Sequence, residues 1–354
     1  MIGMNMQRKR NAYISILKLI SACFVVFIHI RFPGSFGDGI NCVARFAVPV
    51  FLLISGYYSY GADVDVIKKR LKKIVLLMIL SYGVYFLWDV FRALVKHENL
   101  MEYCARMFTV ESLARFVFMG ENPFSAHLWY LSAMALVYAV MIEYKRFYIR
   151  SDKTNYLPLY IVAVCGFMFQ IAFGVKALGV GMDVDYMIYR YCLFFALPIF
   201  VLGLFMYEHQ KRIMESYRFT HTKAVSLILL GFILSLIQWF GIGKVEMPLG
   251  MFLVIIHLFL LAINGDTAKA HSHTAMALIG CTEICSTVVY IIHPMVNSIV
   301  GVLRGQVPLF HAIREMGNVY PLFVMLASVL IGYFIAFTIY CIRQARLKKA
   351  HLND

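Results

Sequence analysis

The first apolar stretch of this chain carries a lysine and a histidine on what reads as a single helix face. Lys18 and His29 are eleven residues apart, three turns plus about 20° at 100° per residue, so they lie about 16 Å apart along the axis. Ionisable groups at that depth in an apolar segment are functional candidates by default. An imidazole so placed suits proton transfer or nucleophilic catalysis, and an ammonium on the same face suits an anion.

Four more such residues open or interrupt other apolar runs. Arg45 heads RFAVPVFLLISGYY, which also holds Ser55 and Tyr57; His127 and Trp129 sit in HLWY; Arg190 opens a later run; His293 precedes Pro294 in YIIHP. Placed by depth, His29, Arg45, His127, Arg190 and His293 fall in the outer layer, and Lys18 alone toward the inner side. Five such residues from five spans point to a polar cavity open outward. Each also has a plainer reading. Arg45 and Arg190 near helix starts can snorkel, and His127 with its aromatic neighbours can be an interfacial anchor. His293 can satisfy a carbonyl freed by Pro294.

The elements that position these residues follow from composition. Of 354 residues 61% are hydrophobic and 15% charged, and the mean hydropathy is +0.75. These values belong to an all-α, polytopic membrane protein. The apolar runs place about ten spans near residues 14–32, 43–61, 74–92, 127–144, 157–175, 188–207, 223–241, 247–264, 277–300 and 319–342. The net charge of +14 falls in short clusters between those runs, as topology signals do, so nucleic-acid binding is discounted. Most of the 33 Lys and Arg residues then fall on one side, including Lys68, Lys69, Arg70, Lys72 and Lys73, which places both termini in the cytoplasm. No cleavable signal peptide, internal repeat or separate soluble domain is expected, so residues 1–354 read as one membrane domain. Residues 93–126 mix apolar and charged positions as an interfacial amphipathic segment does.

Eight cysteines are scattered, most of them inside apolar runs, and form neither a disulfide framework nor a zinc motif. His271 and His273 lack a carboxylate partner and read as solvated. Neither a metal nor a tightly bound cofactor is expected.

Taken in order, Lys18 and His29 in span one, RFAVPVFLLISGYY in span two, the basic KRLKK run, HLWYL in span four and YIIHP in span nine resemble the acyltransferase 3 family of bacterial membrane O-acyltransferases, in its stand-alone form. The resemblance covers essentially the whole chain. It implies about ten membrane helices in a bacterial plasma membrane, with acetyl-CoA or another acyl-CoA as donor substrate from the cytoplasm. The acceptor it implies is a hydroxyl of a glycan or lipid-linked saccharide outside.

Carried over by position, the family's basic and histidine pair falls on Lys18 and His29, its span-two arginine on Arg45, and its Arg-x-x-Arg pair on Arg70 and Lys73. Three positions depart from the pattern: Lys18 stands where arginine is commoner, Lys73 replaces the second arginine, and Ser15 occupies the place of an aspartate. A lysine keeps charge but loses the bidentate fork.

On this resemblance His29 takes the acceptor's proton or is itself acylated, and burial would favour its neutral form. Arg45 or Arg190 would face the developing oxyanion. Arg70 and Lys73, beside three further lysines, would hold donor phosphates. Pro49 and the Ser55-Gly56 pair either let an acyl arm pass or pack helices closely. A transporter of a small polar solute is the alternative, since related membrane domains occur fused to amino-acid racemases and broken helices suit alternating access. An inactive assembly protein fits the departures at Ser15 and Lys18.

Overall fold

Lipid offers no hydrogen bonds, so a spanning chain must satisfy its backbone internally, and helices do this within one segment. The computed structural model describes residues 11–119, 125–148, 155–176, 192–217, 219–265 and 273–351, and no strand occurs among them. The helices are α1 (Ala12–His29), α2 (Gly34–Val43), α3 (Ala47–Tyr57), α4 (Val64–Val95), α5 (Leu100–Met107), α6 (Val110–Met119), α7 (Trp129–Tyr148), α8 (Leu157–Lys176), α9 (Ala196–Tyr217), α10 (His221–Gly241), α11 (Gly250–Ile263), α12 (His273–Leu303), α13 (Pro308–Glu315) and α14 (Val319–His351). Short 3-10 turns, Ala44–Phe46 and Ala126–Leu128, precede α3 and α7.

Among the described residues, seven segments are long and apolar enough to cross a membrane: Ala12–His29, Gly34–Tyr57, Val64–Val95, Ala126–Tyr148, His221–Gly241, Ala277–Leu303 and Val319–Arg346. Shorter apolar helices cover Leu157–Ala172 and Gly250–Ile263. The all-α, multi-pass reading therefore holds. The count of ten crossings and the side on which the termini lie stay with the sequence-based topology.

Two boundaries differ from the sequence reading. The second span, expected over 43–61, begins at Gly34, whose φ of +67° lets the chain turn sharply after Pro33. The third, expected over 74–92, starts at Val64, so the basic run lies on helix rather than in a loop. Lysine and arginine are good helix formers, and nothing between Val64 and Ile74 breaks the ladder. The segment read as amphipathic holds α5 and α6.

The chain divides into two compact units, residues 1–51 with 219–354, and residues 52–218. In the first, α1 starts where the Asn11 side chain accepts from the backbone N–H groups of Tyr13 (2.8 Å) and Ile14 (3.3 Å), satisfying donors that a helix start leaves unpaired. The same side chain donates to the Ala262 carbonyl at the end of α11 (3.1 Å). Ala22, Val26, Phe27 and Ile30 from α1 and its end then pack with Cys285, Val289, Val296 and Val300 of α12 and Tyr320 and Val324 of α14.

In lipid such packing depends on close approach rather than on water exclusion. Gly332 lets α14 approach α12, because a Cβ there would lie 2.9 Å from the Cys285 sulfur. In the second unit the corresponding contact is between α3 and α9. A Cβ on Gly56 would fall 1.8 Å from the Phe200 carbonyl oxygen, and one on Gly203 2.1 Å from that of Leu53. The two backbones meet where only glycine fits.

Candidate active site

In the first unit α1 and α12 run parallel and meet at two levels. At the lower level the Lys18 ammonium is 3.8 Å from the Glu283 carboxylate, and Ser15 Oγ donates to the same oxygen across 3.3 Å. At the upper level the rings of His29 and His293 face each other with centroids 5.2 Å apart and planes tilted by 41°. The two levels are eleven residues apart on α1 and ten on α12, about 16 and 15 Å of helix. Matching rises keep both pairs in register.

The two imidazoles differ in setting. His29 is the last residue of α1 and is exposed, so the expectation that burial governs it is corrected: helix α1 ends there, and no further turn of α1 covers it. His293 is fully buried, and its Nδ1 is 3.1 Å from the Val289 carbonyl oxygen. A carbonyl only accepts, so Nδ1 carries a proton and donates it to Val289.

Arg45 is held within a network. It donates to Glu246 Oε2 at 2.6 Å and to Asn41 Oδ1 at 3.0 Å, and its guanidinium lies 5.4 Å from the centre of the Trp239 ring. Asn41 in turn donates to the Ile28 carbonyl across 3.1 Å. Both partners of the ion pair are only 10% exposed, so Arg45 does not snorkel. Its charge is matched by Glu246, and the chain of bonds ends on the peptide group beside His29.

The second unit holds the other sequence-derived candidates. His127 is buried, with Nδ1 2.5 Å from Ser125 Oγ and its ring 5.2 Å from that of Tyr85. Trp129 is buried against Phe195. The interfacial-anchor reading of HLWY does not fit such burial. Arg190 lies outside the described residues.

Arg70 points inward and donates to Ser59 Oγ (2.7 Å) and the Tyr58 carbonyl (3.0 Å). It thereby holds the turn that joins α3 to α4, together with buried Lys145, which donates to the Ala62 carbonyl at 2.5 Å. Lys73 is exposed, as are Lys68, Lys69 and Lys72. The Arg70 and Lys73 pair is thus divided between an inward hook and an outward charge. Ser55 interacts with the buried hydroxyls of Tyr130 and Tyr138. Tyr57 donates to Gln210 across 2.8 Å. In the adjoining turn, Tyr60 rests against Tyr207 and Tyr156, each 5.0 Å away. Burial, then the Glu208 carboxylate, push its phenol up to about 12, so it remains a donor at neutral pH.

The sequence reading did not single out Glu283, Glu246 or Asn41. Glu283 had a signal: it is the only acidic residue between Asp266 and Glu315, inside an apolar run. Glu246 is likewise the only one between Glu215 and Asp266. Among the described residues, no group of three or more His, Cys, Asp or Glu side chains is placed to hold a metal ion.

The helices define a multi-pass membrane protein whose first unit pairs polar side chains between α1 and α12. The chain belongs to the acyltransferase 3 family: the family's model, described as an acyltransferase domain, matches residues 11–340. No curated protein and no solved structure matches it. Membership supports transferase chemistry over the transporter alternative.

Proposed function

We propose that this protein is a plasma-membrane O-acyltransferase that moves an acyl group, acetyl in the simplest case, from cytoplasmic acyl-CoA to a hydroxyl of a cell-surface or exported polysaccharide or a lipid-linked saccharide. The observation that carries this reading is the exposed His29 imidazole, set at the end of α1 beside buried His293. A hydroxyl is a poor nucleophile at neutral pH, so a base must take its proton as it attacks. His29 serves as that base. The hydroxyl oxygen bonds to the thioester carbonyl carbon, the carbon–sulfur bond breaks, and the proton taken by His29 passes to the departing thiolate to give free CoA. His293 orients the His29 ring, and the Arg45, Asn41 and Glu246 network fixes the end of α1 that carries it.

The donor's phosphates are met by Lys73 and the neighbouring exposed lysines, with Arg70 holding the turn against which they stand. Ten membrane crossings and two cytoplasmic termini put that basic run on the side from which acyl-CoA arrives. Incubating the purified, reconstituted protein with labelled acetyl-CoA and membrane glycans tests the reading. Label on a glycan hydroxyl with release of free CoA supports it, and absence of turnover with any acyl-CoA contradicts it.

A further inference from the structure

We propose that the indole N–H of Trp239 on α10 and the Nε–H of Arg45 hold the carbonyl oxygen of the acyl thioester as it gains negative charge. This deepens the acyltransferase reading and rests on it. Both side chains are buried, Arg45 at 10% exposure and Trp239 at 4%. Among the described residues, neither Arg45 Nε nor Trp239 Nε1 has a hydrogen-bond partner. A donor buried without an acceptor bears the full cost of leaving water, and folded proteins rarely keep one without a use. Two such donors on side chains in contact call for an acceptor that arrives with the substrate.

The chemistry of the two groups selects the ligand. Indole and guanidinium nitrogens only donate, so they match an oxygen that accepts. The Arg45 charge is already balanced by Glu246 at 2.6 Å, and its terminal nitrogens are engaged by Glu246 and Asn41. What remains is hydrogen-bonding capacity rather than net charge. That suits a neutral carbonyl that becomes an oxyanion in the transition state better than a standing anion. The Arg45 Cζ lies 5.4 Å from the centre of the Trp239 ring, a separation that permits one oxygen about 3 Å from each nitrogen. Asn41 links the same guanidinium to the Ile28 carbonyl, beside His29. As the acceptor oxygen, losing its proton to His29, bonds to the thioester carbon, the carbonyl π pair moves onto the held oxygen. It returns as the carbon–sulfur bond breaks. A phenyl ring would give Arg45 an aromatic face without the indole N–H, so that N–H is the feature to remove.

The test uses the full-length reconstituted protein with two readouts. The first is turnover of acetyl-CoA with membrane glycans. The second is the infrared carbonyl stretch of a non-cleavable acetyl-CoA analogue, in which methylene replaces sulfur and the ketone carries carbon-13. Trp239→Phe removes the indole N–H, and Arg45→Lys keeps the charge opposite Glu246 while removing Nε–H. Each should lower kcat roughly tenfold or more, with KM for acetyl-CoA and for the glycan little changed. The ketone stretch should move to lower wavenumber on binding to wild-type protein, and each variant should lose part of that shift. Should Trp239→Phe fail to fold, the shift in wild type against Arg45→Lys decides. Unchanged kcat in both variants overturns the proposal, as does a bound ketone with no shift in wild type. A raised KM for the glycan with kcat unchanged also overturns it, by giving the two donors to the saccharide. A wild-type protein that neither binds the analogue nor turns over any acyl-CoA fails the acyltransferase reading itself, and the proposal falls with it.

Discussion

The ring of His29 on α1 stands 5.2 Å from that of His293 on α12, so two helices more than 260 residues apart in sequence bring their imidazoles to one level. One ring is exposed and the other is fully buried and tied to the Val289 carbonyl. In the proposed mechanism the buried ring is the surface against which the exposed one is oriented.

Replacing His293 separates that orienting role from packing. His293→Phe keeps the ring volume and removes the nitrogens, whereas His293→Gln keeps a polar tip and loses the ring. Both should lower kcat/KM for acyl transfer roughly tenfold or more, about 1.4 kcal/mol of barrier, while the folded protein persists in a thermal melt. Full activity in either variant removes His293 from the site.

The Arg45 and Glu246 pair should behave as a buried ion pair. Arg45→Met or Glu246→Gln alone leaves one charge uncompensated and should cost about 3–5 kcal/mol, whereas Arg45→Met with Glu246→Leu should recover most of that loss. Transfer should stay low in the two variants that lack Arg45, because Asn41 then loses the partner that steadies its bond to Ile28. Melting temperature and turnover measured on the same preparations distinguish the two effects. Recovered activity in the double variant would show that the network carries stability alone.

Arg70 and Lys73 should part company. Arg70→Ala removes two hydrogen bonds from a charged donor and should destabilise the second unit by roughly 2 kcal/mol or more. Lys73→Ala, at an exposed position, should change stability by less than about 0.5 kcal/mol and raise the KM for acyl-CoA. Thermal melts and donor titrations of the two variants check this, and a Lys73→Ala enzyme with unchanged KM contradicts the phosphate-contact role.

Gly56 decides between passage and packing. Its missing Cβ is where the Phe200 carbonyl sits, so Gly56→Ala should force α3 and α9 apart at a cost of about 1–3 kcal/mol. A lowered melting temperature confirms the packing role; unchanged stability with altered transfer would point to an open path there.

The helical, multi-pass character was legible because apolar runs of spanning length need no long-range information. So was the shared face of Lys18 and His29, which follows from 100° per residue alone. Their partners were not legible in the same way. Glu283 and His293 come from α12, and the bonds that restrain Arg45 join α2, the end of α1 and the loop before α11, distances in sequence that local periodicity does not reach. Arg70 was legible as one charge in a basic run, but its inward hook onto Ser59 depends on the turn at Tyr58. The isolated acidic residues Glu246 and Glu283 were visible in the sequence, and weighing carboxylates alongside cations would have found them. The exposure of His29 was not visible, since it depends on α1 ending at that residue.

The most direct test of His29 is a single-turnover comparison of wild-type and His29→Ala protein, reconstituted in lipid, with labelled acetyl-CoA and acceptor glycan. Thioester consumption should fall by at least about a hundredfold in His29→Ala, with the melting temperature retained. Acyl transfer at the wild-type rate in His29→Ala would contradict the assignment of His29 as the catalytic base.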